Sequence, residues 1–578
     1  LIEGRSYFHT KRVLFKNNNH KNEDKMEKLW LKSYPEGIKS EVDIDAYQSV
    51  ADVFNQAVDK FSDLPAFCNM GTTLSYDDMG RLTTDLAAYL QSIPGMKKGD
   101  RVAVMMPNLL QNPIAIFAIL KAGFTVVNTN PLYTARELRH QLKDSGTKVI
   151  IVVDNFCDTL EAVVKDTDIQ QVVTTQLGDM LKFPKSMIVN LVVKYVKKMV
   201  PAYSIPGSIT FKQALSIGAS KQFIPVQVTH DDLAFLQYTG GTTGLAKGAM
   251  LTNRNMVANM QQSSEWISQL VEKRKEIIIT ALPLYHIFSL TANCLVFMKE
   301  GALNYLITNP RDMPGFVKEL SSVKFTAITG VNTLFNGLLN TEGFKDIDFA
   351  SLKLTLGGGM AVQEAVAEHW RRVTGSPLLE AYGLTETSPA VCMNPMNLGD
   401  FNGSIGLPVP STEVSIRTED GEFLPQGESG ELCVRGPQVM KGYWDKPEET
   451  AFVLDEKGWL KTGDIAIMDE DGFFKIVDRK KDMILVSGFN VFPNEIESVI
   501  ASCPGVLEVG VIGVEDGKSG EAVKAVIVRN DDSLTEKEVI DHCRKDLTSY
   551  KVPRQIEFRT ELPKTNVGKI LRRELRDS

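Results

Sequence analysis

From Arg101 onward, apolar runs of strand length alternate with segments whose apolar residues recur at helical spacing. The runs at 102–106, Val149–Val153, 277–282, 325–329 and 352–356 predict buried strands. Residues 361–373, with Val362, Ala365, Val366, His369 and Trp370 in phase, predict a helix between them. Buried strands alternating with helices predict an α/β fold of parallel sheets covered on both faces. Ligands then gather at loops leaving the carboxyl ends of strands. After about Gly472 the pattern changes. Charged Asp478-Arg479-Lys480-Lys481-Asp482 interrupts 474–477 and 483–486, Pro493 sits near a helix start, and short strands follow at 509–514 and 522–528. Ser533-Leu534-Thr535-Glu536 predicts a capping box that opens a helix running to Asp546. The expected organisation is a large N-terminal domain of parallel-sheet subdomains over 26–477 and a small, mobile α+β C-terminal domain over 478–578.

Size and charge narrow the class. At 578 residues the chain exceeds what one core supports, and no segment is long and apolar enough to span a bilayer. With 64 basic against 72 acidic side chains the net charge is −8, and no basic run is long enough to neutralise a phosphate backbone, which argues against nucleic acid as a partner. The seven cysteines stand singly without C-x-x-C, and no histidine pair has ligand spacing; both favour a reducing cytoplasm and no structural zinc. Residues 1–25 precede Met26 and contain Ile2-Glu3-Gly4-Arg5, which resembles a protease site of expression vectors. They are read as a vector-derived segment or leader, the other reading being a native N-terminal arm.

The chemistry begins at a glycine-rich stretch. A predicted strand at 233–237 runs into Tyr238-Thr239-Gly240-Gly241-Thr242-Thr243-Gly244-Leu245-Ala246-Lys247-Gly248. Glycines let backbone amides reach phosphate oxygens, threonines add donors and the lysine adds charge, so the stretch suits nucleotide phosphates. It is not a Walker A loop, because Lys247 follows Ala246 and precedes Gly248. Four more segments occur in order: Gly357-Gly358-Gly359 after a strand, Tyr382-Gly383-Leu384-Thr385-Glu386-Thr387 after another, then Thr462-Gly463-Asp464 with Asp478-Arg479, then Pro563-Lys564-Thr565-Asn566-Val567-Gly568-Lys569. Together they resemble the signature of the adenylate-forming superfamily, over essentially all of 26–578. The segments 458–464 and 478–484 look most like bacterial long-chain fatty-acid–CoA ligases. One departure is Gly240, where many members have serine.

That resemblance implies an enzyme that joins a fatty acid to CoA through an acyl-adenylate, with ATP and CoA as co-substrates and Mg2+ as cofactor. Attack on the α-phosphate calls for fixed donors and cations rather than a protein nucleophile. By resemblance, Thr239 and Glu386 hold the metal, and the loop from Gly240 through Gly241, Thr242, Thr243 and Gly244 to Lys247 steadies pyrophosphate, with Tyr238 beside it among the catalytic candidates. Tyr382, with Gly383 and Thr385 following, lies against adenine, and Gly357, Gly358 and Gly359 make room for the base. Asp464 takes the ribose hydroxyls, and Arg479 approaches the ribose from the hinge side. Lys569 bridges carboxylate and α-phosphate, and Asp478 is the pivot on which the small domain turns to bring Gly488 toward the pantetheine channel. His286 and Val331 fall where members line the acyl pocket, His286 shaping its carboxylate end. Two alternatives remain: an adenylate former that uses another acid or acceptor, and a non-catalytic protein holding fatty acid or nucleotide.

One further segment carries a pattern of its own. At 187–200, Met187, Ile188, Leu191, Val192, Tyr195, Val196, Met199 and Val200 form one helical stripe, with Lys194, Lys197 and Lys198 opposite. Lying on the inner surface of the cell membrane and packing on its own domain are both open. So is a homodimer.

Overall fold

The computed structural model describes residues 28–239, 246–487, 489–517 and 519–576. Residues 1–25, the loop positions Gly240, Gly241, Thr242, Thr243 and Gly244, and Gly488 lie outside them.

Two sheets with parallel centres dominate the large domain. The first has seven strands, in the order Ile209–Thr210, Gln171–Thr175, Val149–Val153, Arg101–Met105, Thr125–Asn128, Leu233–Thr239 and Lys247–Thr252, and only the last pair is antiparallel. Val149–Val153 is buried at every position between parallel neighbours, the burial its unbroken apolar run predicts. The glycine-rich loop therefore leads from one strand into an antiparallel partner, whereas a P-loop opens a helix.

The second sheet has nine strands. Six of them, Leu378–Gly383, Leu354–Gly358, Ala327–Gly330, Ile277–Thr280, Leu303–Leu306 and Pro65–Asn69, run parallel at its centre. Glycines 357 and 358 end one strand, and Tyr382 and Gly383 end its neighbour, so both motifs emerge at carboxyl ends.

The parallel pattern stops earlier than expected. From Glu413–Arg417 a four-stranded antiparallel sheet takes over, continuing through Gly430–Arg435, Leu460–Met468 and Phe474–Arg479. None of its strands is buried at more than three consecutive positions and each carries charged residues, so no long apolar run marks them. This sheet packs into the same core as the other two, and a separate core spans Ile484 to Leu547.

In the small domain, Val506–Asp516 and Gly520–Arg529 form a long antiparallel pair, and Gln555–Arg559 adds to it in parallel. Pro493 is the first residue of Pro493–Ala501. Helix Glu536–Asp546 ends where expected, but its capping box is Thr535 with Glu538, not Ser533 with Glu536. Ser533 instead bonds Asp531, so the carboxylate three residues beyond Thr535 takes the cap. The seven cysteines are free and buried. Among the described residues no helix is long and apolar enough to cross a membrane.

Candidate active site

All three sheets of the large domain and the small domain carry motif residues. Asp464 lies on Leu460–Met468 directly opposite Arg479 on Phe474–Arg479, and the Arg479 Nε is 3.4 Å from the Asp464 Oδ1. The other carboxylate oxygen accepts from the Tyr382 hydroxyl at 2.5 Å. This bond ties the strand end expected at adenine to the carboxylate expected at ribose. Burial, then Asp464, holds the Tyr382 phenol well above its usual range, so it stays a donor.

At Gly358 a Cβ would lie 3.0 Å from the Ala381 carbonyl oxygen and 3.1 Å from the Phe288 ring; at Gly357 it would meet Val362 at 2.6 Å. The protein's own packing thus leaves little room for a side chain at either position. Gly359 turns away with φ +77°.

Glu386 sits on the short helix Thr385–Thr387, which lies against Leu233–Thr239 and so brings it toward Thr239. Its Oε1 accepts from the Tyr443 hydroxyl at 2.7 Å, and its backbone carbonyl accepts from the Met440 N–H. Lys247, paired across the hairpin with Thr239, ion-pairs with Glu449 and lies 5.0 Å from the centre of the Tyr443 ring. Tyr238 stands apart from these groups. It is buried, its hydroxyl donates to Asp144 Oδ2 at 2.7 Å, and its ring packs under Gly248, so it braces the hairpin rather than offering a free group.

The small domain delivers Lys569. Its loop is closed by the Thr565 N–H to the Lys569 carbonyl and by the Lys569 N–H to the Thr565 hydroxyl, and the bounding bridge is Lys564 with Ile570. The helix that follows begins at Arg572, beyond the bridge that keeps Ile570 extended. The loop docks on the large domain, where the Thr333 hydroxyl donates to the Gly568 carbonyl at 2.9 Å and Val331 packs beneath Gly568 and Gly359. Burial, with Arg479 the next cause, pushes the Lys569 ammonium down to about 7. Burial and Arg479 likewise lower Lys481 to about 8. Arg479, Arg572 and Lys481 all bear on Lys569, and cations gathered in this way favour a polyanion. His286 is buried and held down to about 4, by burial and then Lys569. It is neutral near pH 7, and its Nδ1 accepts from the Phe288 N–H.

Asp478, although it opens a charged segment, is fully buried. Its carboxylate accepts from the Arg479 and Asn494 N–H groups and from Arg572 Nη1 at 3.2 Å. Arg572 also reaches Glu497 and Asn494, so the strand leaving the large domain is clasped to the helix after the lysine loop.

Family comparison agrees with this architecture. A model described as AMP-binding enzyme matches residues 54–444, and its C-terminal-domain counterpart matches 495–569. The chain belongs to the AMP-binding enzyme family. This AMP-binding enzyme is 57% identical to a long-chain-fatty-acid–CoA ligase of Escherichia coli O6:H1, over 96% of this chain and 98% of that protein. It is 54% identical to one of Haemophilus influenzae over the same shares. ATP-bound MatB from Rhodopseudomonas palustris is similar in structure, with TM-score 0.79 and 28% identity, covering 91% of this chain and 98% of that chain. The anthranilate CoA ligase AuaEII, at 24% identity and TM-score 0.81 over 92% and 97% of the chains, shares the fold.

Sequence reasoning missed Tyr443, Asp144 and Arg572. Each acts on a motif residue from a distant segment, and no local spacing marks it.

Proposed function

We propose that this protein is a long-chain fatty-acid–CoA ligase. The fatty-acid carboxylate attacks the α-phosphorus of ATP, the bond to the β-phosphate bridging oxygen breaks, and pyrophosphate leaves. The CoA thiol sulfur then attacks the acyl carbonyl carbon, giving up its proton, and the carbon–oxygen bond to AMP breaks. The near-full-length identity to curated long-chain ligases carries the substrate class. The meeting of Lys569 with Asp464 and Arg479 supports adenylation as its first step.

In this reading Lys569 draws the carboxylate and α-phosphate together, two anions that otherwise repel. Asp464 and Tyr382 hold the nucleoside, and Arg479 approaches from the hinge. Thr239 and Glu386 offer hard oxygen donors suited to Mg2+. Among the described residues no group of three or more histidine, cysteine or acidic side chains is placed to hold a metal ion; ATP phosphates and water would complete the shell of such an ion. Bound there, Mg2+ neutralises phosphate charge. His286 is neutral and shapes the carboxylate end of the acyl pocket with Val331.

For thioester formation Lys569 must leave, because pyrophosphate release and thiol attack need different groups at one carbonyl. Rotation about Asp478 supplies the change, and the Arg572 clasp makes Asp478 move with the small domain. The test is to measure AMP and acyl-CoA from ATP, Mg2+, CoA and acids from acetate to oleate. Acyl-AMP without thioester rejects the CoA acceptor, and a maximum at acetate rejects the long-chain class.

A further inference from the structure

The strand Leu233–Thr239 and its antiparallel partner Lys247–Thr252 put Thr239 directly across from Lys247. In the reading above Thr239 faces the metal and Lys247 the departing pyrophosphate, so the spacing of these two residues decides how the β- and γ-phosphates are met. Each has a neighbour held by the same helix, Ala135–Asp144. Beside Thr239, the Tyr238 hydroxyl donates to Asp144 Oδ2 at 2.7 Å. Beside Lys247, the Ala246 carbonyl oxygen lies 2.8 Å from His140 Nε2. A carbonyl oxygen only accepts, so that nitrogen carries the hydrogen. Burial and then Asp144 raise the Tyr238 phenol well above its usual range, which makes Asp144 the acceptor.

Positions 140 and 144 are one helical turn apart and share a face. They are not what seats the helix. Leu138 and Leu142 do that, packing in one buried cluster with Leu236 and Tyr238, and the Gln141 amide fixes the helix to the neighbouring strand Thr125–Asn128 by donating to the Asn128 carbonyl at 2.9 Å. A helix fixed in this way needs no carboxylate on its inner side, and burying one is costly unless it is paired. Asp144 is paired twice. Its side chain is only 11% exposed, and its Oδ1 lies 3.5 Å from Lys446 Nζ. Lys446 immediately precedes the helix Pro447–Val453, which carries Glu449, the ion-pair partner of Lys247. Helix Ala135–Asp144 thus reaches Lys247 by two routes, one through Ala246 and one through Lys446.

We infer that His140 and Asp144 are positioning residues for the phosphate end of the nucleotide: one helix face sets both ends of the hairpin, and through them Thr239 and Lys247. The inference rests on the ligase reading for the place of the phosphates. Both side chains act through a neighbour. Their effect therefore falls on a ligand with β- and γ-phosphates and spares AMP, which lacks them.

The test is isothermal titration of the full-length protein with ATP and with AMP, each in Mg2+ and without fatty acid or CoA. His140→Ala and Asp144→Ala should each weaken ATP about tenfold, the scale of one lost hydrogen bond, and leave AMP within about twofold. His140→Gln, which keeps a donor, and Asp144→Asn, which keeps an acceptor, should recover most of the loss. Retained AMP binding is the folding control. Tyr238→Phe removes the Asp144 bond without altering the helix, should give the same selective loss, and stands in for Asp144→Ala if that variant does not fold. Equal weakening of ATP and AMP, or unchanged ATP affinity, overturns the inference and leaves the two bonds to hold the fold alone. A loss that Gln and Asn do not repair also overturns it. Acyl-CoA formation by wild type is scored separately: a wild type that binds ATP but makes no acyl-CoA rejects the ligase reading, while ATP binding by the variants still decides the positioning role.

Discussion

The Thr333 hydroxyl donates to the Gly568 carbonyl oxygen at 2.9 Å, so the large domain grips the lysine loop one residue before Lys569. Gly568 has φ +87°, and a Cβ there would fall 2.7 Å from Thr333 Oγ1 and 3.2 Å from Val331 Cγ2. Gly568→Ala must therefore strain the loop or lift it from its seat. Pyrophosphate release should fall on the order of a hundredfold, the scale of a misplaced catalytic group. Thr333→Val removes one hydrogen bond without a clash and should cost about tenfold. Thioester formation from supplied acyl-AMP, which uses the rotated domain, should change little in both variants. Equal loss in the two half-reactions would count against the rotation.

Lys569 gives adenylation a pH dependence of known sign. Its ammonium is lowered from 10.5 to about 7, so in the free enzyme the charged form is lost as pH rises through 7. The kcat/KM for ATP in pyrophosphate release should decline across that range, and Lys569→Arg, slower throughout, should lose the decline. Stability runs the other way. Between about 7 and 10.5 the unfolded chain binds the proton that the folded chain has shed, so stability rises with pH. Lys569→Met should abolish adenylation yet raise the calorimetric midpoint near pH 6. An unchanged midpoint would mean the ammonium is well solvated.

Glu386 depends on Tyr443, whose hydroxyl donates to its Oε1 at 2.7 Å. Tyr443→Phe leaves the ring against Lys247 and removes only that donor. The carboxylate expected at the metal then loses orientation, and the Mg2+ concentration for half-maximal pyrophosphate release should rise about tenfold. The far-ultraviolet circular dichroism spectrum should not move. A variant with a wild-type Mg2+ titration would place the metal away from Glu386.

What sequence could reveal followed the range of the interactions. Buried parallel strands are legible because both faces exclude water, so Val149–Val153 appears as an unbroken apolar run with the predicted ends. The four-stranded sheet that carries Asp464 and Asp478 mixes buried, partly exposed and charged positions and left no such mark, and Asp478 is buried beneath Arg572. Motif residues were found because their spacing is local. Their supports were not: Tyr443 acts across 57 positions on Glu386, and Arg572 across 94 on Asp478. At 187–200 periodicity revealed the stripe, but which way it faces is set by Asn190, whose Oδ1 accepts from the Gly178 N–H at 2.7 Å, and Met187, Leu191, Tyr195, Val196 and Met199 are left exposed.

Glu380, two positions before Tyr382 on the same strand, is the last group with a testable consequence. Burial raises its carboxyl to about 8, against the opposing effect of the Val362 N–H, which donates to Oε1 at 3.2 Å. The folded pKa lies above the ordinary 4.5, so at neutral pH folding takes up a proton that the unfolded chain lacks. The stabilisation is complete below 4.5 and is lost as pH rises to about 8. At pH 7 the deficit is roughly 3 kcal/mol, from about 1.4 kcal/mol per pH unit. Glu380→Gln keeps an acceptor for Val362 and carries no charge, so it should be more stable than wild type at pH 7 to 8. The two should converge near pH 5, as read from denaturant midpoints. Parallel profiles would show that Glu380 remains ionised in the fold, and would then assign it a cationic partner, for which Lys475 is the candidate.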